Sequence, residues 1–117
     1  MTAQGHPRAI FRRALERGNL LIAETTAREI GRMGLDERLE LTALICLKQP
    51  ERGRRVAAAW LHRWLEETPG TTIEDAAFVA SLLSSLGTRR HAMALGALLE
   101  MVETRGRVPL GRVSNSV

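Results

Sequence analysis

Tyrosine is absent from the chain, and two tryptophans and two phenylalanines are its only aromatic residues. With so few rings, Leu and Ala must fill the interior, and both are strong helix formers. Cysteine occurs once, at Cys46, which excludes an internal disulfide and any Cys-x-x-Cys zinc pair. His6, His62 and His91 are too scattered to supply ligand spacing. No metal and no other cofactor is expected. Phosphate cradles are missing too: there is no Gly-x-x-x-x-Gly-Lys-Ser/Thr, and no Gly-x-Gly-x-x-Gly follows a strand. The acidic pairs Glu66/Glu67 and Glu74/Asp75 read as solvated charges at helix ends, so the chain is not expected to be an enzyme. No apolar run approaches the roughly 20 residues that span a bilayer. No N-terminal segment has the apolar core of a signal peptide. A cytoplasmic protein with no membrane partner is the expectation.

Lysine is nearly missing as well: of 17 basic residues only Lys48 is a lysine. Abundant Arg and Ala with scarce Lys is what a GC-rich genome encodes, so the net charge of +4 is weak evidence for nucleic-acid binding. Its distribution is more informative. Arg8, Arg12, Arg13 and Arg17 against Glu16 give residues 1–20 a charge of +3, and Arg105, Arg107 and Arg112 give residues 105–117 another +3. The body between them is mildly acidic.

What is present is helical periodicity in a chain of 117 residues, the size of one domain. The stretch from Leu41 to Leu47 is apolar on nearly every side, and a helix of that kind is buried. It is predicted to be the central layer of an all-α domain of about six helices, arranged as three antiparallel hairpins over 7–33, 35–68 and 72–104. Residues 1–6 read as a disordered lead and 105–117 as a flexible basic tail. Helices are predicted over 7–17, 20–33, 35–49, 50–68, 73–86 and 89–104. Gly18 stops the first and Asn19 caps the second; Thr72-x-x-Asp75 has the form of a helix start, and Thr88 is a candidate cap for the sixth. Glu24 and Arg28 are spaced for an i,i+4 pair. Gly53, among Arg52, Arg54 and Arg55, is expected to fray the first turn of the fourth helix. The predicted core comprises Phe11, Ile30, Leu44, Cys46, Trp60, Leu61, Trp64, Phe78, Leu82 and Leu98, with Cys46 a buried inert thiol.

The third and fifth helices align at an offset of 38: Leu35-Asp36-Glu37 with Ile73-Glu74-Asp75, Leu41 with Val79, Leu44-Ile45 with Leu82-Leu83. The fourth and sixth align less well at 37, pairing Leu61 with Leu98 and Trp64 with Met101. Helix pairs recurring at this period characterise stacked hairpin repeats. Together with the segment Ala14–Glu24, they make the chain resemble tetratricopeptide-like and other alpha-solenoid arrays. It also resembles short helical proteins of high-GC bacteria. The tetratricopeptide signature of Trp, Leu-Gly, Tyr, Ala, Phe and Pro is found in no hairpin, and a closed six-helix bundle satisfies the same periodicity.

The resemblance implies a non-enzymatic module that binds another protein or peptide, a second copy of itself included. Met93 and Met101, placed on opposite margins of a last helix that nothing covers, point to the C-terminal hairpin as the docking element. The alternative is a small basic regulator that contacts nucleic acid. It would use Arg8, Arg12, Arg13 and Arg17 on one face of the first helix, with Arg52, Arg54 and Arg55 as a second patch.

Overall fold

The helices begin and end where local chemistry places their boundaries. The computed structural model describes residues 6–107, with side chains through 104. Among them are six helices and no strand: α1 (Pro7–Arg17), α2 (Leu20–Ile30), α3 (Leu35–Lys48), α4 (Pro50–Glu67), α5 (Ile73–Ser84) and α6 (His91–Arg107). Pro7 and Pro50 open α1 and α4, at positions whose N–H would have no partner in the helix. Gly18 closes α1 at a φ of 69°, and Asn19 Oδ1 accepts from Ile22 N at 3.1 Å to cap α2. At the start of α5, Thr72 Oγ1 accepts from Asp75 N at 3.0 Å while Asp75 Oδ2 accepts from Thr72 N at 3.4 Å. The longer second bond reflects the shorter reach of Asp in a motif that usually carries Glu or Gln.

Several boundaries depart from the predicted ones. α2 stops at Ile30 rather than 33, because Gly31 turns the chain at a φ of 80°; Met33 is nevertheless buried from the loop. α5 ends at Ser84 rather than 86, and Leu86 continues into a turn through its N–H to Leu83 O at 3.1 Å. α6 begins at His91 rather than 89. Thr88 Oγ1 accepts from Arg90 N at 3.1 Å and so closes the preceding turn instead of capping the helix, while Gly87 N donates to His91 Nδ1 at 2.8 Å. α6 also runs through 105–107, which were expected in the tail. The expectations for residues 1–5 and 108–117 lie outside the described residues.

The layering follows from α3. Leu39, Ala43 and Cys46 cluster on one side of it and Leu41, Leu44 and Ile45 on the other, about 180° away at 100° per residue. The first set joins Ala57, Trp60, Trp64, Val79, Leu82, Leu83, Leu86, Ala94 and Leu98. The second joins Phe11, Ala14, Ala23, Ala27 and Met33. One helix thus serves two cores, and that is why its apolar side chains point in all directions. Packing bears this out: α3 meets α1 and α2 on one flank and α4 and α6 on the other, while α5 rests on α4 and α6. Thr42, fully buried on α3, returns its hydroxyl to Arg38 O at 2.8 Å and leaves no unmet donor. Trp60 Nε1 donates to Leu35 O at 3.0 Å.

Four positions correct the predicted interior. Leu47 is 48% exposed, so the buried run ends at Cys46. Ile30 and Leu61 are half-buried and pack on the edges of the two cores. Phe78 is 59% exposed. Its helix turns Val79, Leu82 and Leu83 inward, and Phe78 stands one step of about 100° away from Val79, on the margin. Nor does Gly53 fray α4. It is helical and buried, and a Cβ there would lie 2.6 Å from Cys46 Cα, so the missing side chain is what lets α4 approach α3.

Candidate functional site

Seven arginines were the sequence's candidates for a nucleic-acid surface, and the fold divides them. The basic face of α1 lies against the acidic first half of α3. Arg8 Nε donates to Glu37 Oε2 at 2.8 Å and its Nη2 to Oε1 at 3.1 Å, while Arg12 Nη1 donates to Glu40 Oε1 at 2.7 Å. Arg52 reaches from α4 to α2: Nη1 donates to Glu24 Oε1 at 3.1 Å and Nη2 to Oε2. Glu24 therefore takes its partner from another hairpin and not from Arg28, four residues along, as expected from spacing. Arg13, Arg17, Arg54 and Arg55 are exposed and have no ion-pair partner among the described residues. Arg54 lies beside an apolar groove between α4 and α5.

These pairs tie helices together and carry a pH dependence. The Arg52 guanidinium, bonded to Glu24, holds that carboxyl below its usual range despite partial burial, and Arg8 does the same for Glu37. A carboxyl depressed in the folded state stabilises the fold above its unfolded value of about 4.3, and that contribution disappears as pH falls through the folded value. Both pairs are partly solvated, so each contribution is screened. Urea unfolding of the wild type and of Glu24→Gln is expected to differ most near neutral pH and to converge as pH falls below the ordinary carboxyl range and through the depressed folded value of Glu24. A constant difference across that range would show that the Glu24 charge does not matter.

Burial pushes the Cys46 thiol up, away from the reactive thiolate. Burial lowers His91, whose Nδ1 is occupied by the Gly87 N–H. His62 is an exposed neighbour of Glu66 at 3.8 Å. Among the described residues no three His, Cys, Asp or Glu side chains gather as a metal site, and no helix is long and apolar enough to cross a membrane.

The feature the sequence reading missed is the outer face of α5. Eight of its twelve residues are apolar, so it resembles α3 in composition, yet it lies at the edge of the molecule. Ile73 is 86% exposed and Phe78 59%, and Ala77 between them is also exposed. Phe78 borders a groove of about 470 Å³ between α5 and α6, with Trp64 and Val79 beneath it, Ala97 and Met101 from α6, and the acids Asp75 and Glu100 among its lining residues. Met93, 55% exposed, precedes Met101 by eight residues and so shares a side of α6 with it, about 80° away, instead of the opposite margin. On its other flank α5 borders a second groove, of about 280 Å³, lined by Ala57, Ala58, Leu61 and Ala80. The signal the sequence carried is a second helix apolar on most of its sides, which by itself does not say whether neighbours cover it.

In comparisons with known proteins, the chain matches no family model, no curated protein and no solved structure.

Proposed function

We propose that this chain is a cytoplasmic, non-enzymatic protein-interaction module of helical-hairpin, tetratricopeptide-like type, with the C-terminal hairpin α5–α6 as its docking surface. The observation that carries the reading is the outer face of α5. Ile73, Ala77 and Phe78 are held in water on a capped helix beside a groove with Trp64 at its base. Large apolar side chains kept together in solvent on a rigid element are a mark of an interface. The mechanism is recognition by a preformed surface, in which burial of these side chains drives association.

The nucleic-acid reading is the weaker of the two. Arg8, Arg12 and Arg52 already neutralise carboxylates within the chain, which lessens their value as phosphate contacts.

A photoreactive phenylalanine analogue at position 78 is expected to cross-link to a protein chain in cells, its own or another, whereas the same group in place of exposed Arg28 is not. The absence of any adduct from position 78 would end the docking reading. A mobility shift at low salt that Arg13→Ala/Arg17→Ala abolishes would favour nucleic acid instead.

A further inference from the structure

We infer that the occupant of the α5–α6 surface is a second copy of this chain, bound antiparallel about a two-fold axis beside Ser81. This rests on the docking reading above and specifies the partner.

Charge is what selects a second copy. The α5–α6 hairpin is polarised along its length. At its open end stand Glu74 and Asp75 in the first turn of α5 and Glu100 on α6. At its turn end, after α5, stand Arg89 and Arg90. Glu74, Glu100, Arg89 and Arg90 are exposed and have no ion-pair partner among the described residues. Arg105 and Arg107 follow later on α6. A two-fold rotation sets the acidic end of each hairpin against the basic end of the other, so the same contact, made twice, neutralises both ends. An isologous interface requires this kind of self-complementarity, in which residue i meets j and j meets i.

The shape of the face agrees. Its centre is lined by Ala77, Ser81 and Ser84, which share one side of α5 and are exposed. Small side chains there let two helices approach to the short end of the usual interaxial range of about 8–10 Å. Phe78 and Ile73 flank that strip, and Phe78 of each copy is then covered by the last turn of the partner's α5. The resulting layer would run α6, α5, α5, α6 across the axis and bury the most exposed apolar side chains of this hairpin.

Sedimentation equilibrium of the full chain from micromolar to millimolar loading is expected to approach twice the 12.9 kDa chain mass. Phe78→Asp removes two contacts per dimer and is expected to weaken association about 100-fold. Ala77→Arg, in the middle of the strip, is a second variant with the same expectation. These two sites and the four charged ones altered below are all exposed, so helicity by circular dichroism should be unchanged. The decisive test uses charge reversal. A chain with Arg89→Glu and Arg90→Glu, and a chain with Glu74→Arg and Glu100→Arg, should each associate about tenfold more weakly alone and recover as a heterodimer when mixed. A monomer at every concentration, a dimer indifferent to Phe78→Asp and Ala77→Arg, or no recovery on mixing would each overturn the inference. A monomer whose position 78 still cross-links to a different protein would sink the dimer and leave the docking reading standing.

Discussion

Truncating Trp60 to alanine is expected to lower the unfolding free energy by about 3–5 kcal/mol, and Trp64→Ala by a similar amount. Trp60 is 2% exposed and Trp64 1%, both in the core that joins α3 and α4 to α5 and α6. Neither void can be refilled from nearby, because the chain has only four aromatic residues and the surrounding core is mostly Ala and Leu. Against a typical total of about 5–15 kcal/mol, either loss leaves a marginal fold. Trp60→Phe keeps most of the packing but not the Nε1 bond to Leu35 O, and should cost about 1–2 kcal/mol. Urea titration followed by far-UV circular dichroism measures all three, since the signal does not depend on the missing indole. A loss below about 1 kcal/mol for Trp60→Ala would mean that the core joining α3 and α4 to α5 and α6 is not built around this ring.

The other large effect comes from two glycines that clasp the same residue. A Cβ at Gly87 would lie 2.7 Å from Cys46 O, and the position sits at a φ of 84°. Gly87→Ala combines a left-handed penalty of about 1–2 kcal/mol with overpacking of about 1–3 kcal/mol, so a total of about 2–5 kcal/mol is expected. Gly53→Ala is more diagnostic. Helix propensity alone would make it stabilising by about 0.5–1 kcal/mol. The new methyl would meet Cys46 Cα at 2.6 Å, and a backbone atom cannot swing aside. Net destabilisation is therefore expected, and Cys46→Ala should not rescue it. Gly96→Ala is the control: it lies in α6 with nothing within 4 Å and should stabilise by about 0.5–1 kcal/mol. If Gly53→Ala behaved like Gly96→Ala, α3 and α4 would not approach as closely as described.

Cys46 illustrates how far sequence reasoning reaches. Its burial is readable from the apolar run around it. The close approach of Gly53 and Gly87 to its backbone is not, because one glycine comes from the next helix and the other from a turn 41 residues along. The arginines teach the same lesson. Glu24 and Arg28 satisfy the local rule for a pair, yet Glu24 is held by Arg52 from a different hairpin. Phe78 fell on the predicted apolar arc of its helix, but an arc wider than the available contact leaves its margin in water.

By itself the sequence determined the all-helical class, most helix starts and the centrality of α3. Those properties are local: they depend on 3.6-residue periodicity, on proline and glycine at helix ends, and on capping side chains within a few positions. That α5, also apolar on most of its sides, is not enclosed was decided only by tertiary structure. α3 has helices on both flanks and spends its apolar surface on two cores, whereas α5 has neighbours on one side and keeps Ile73 and Phe78 in solvent. Burial depends on what stands opposite a side chain, and no pattern within a single helix encodes its neighbours.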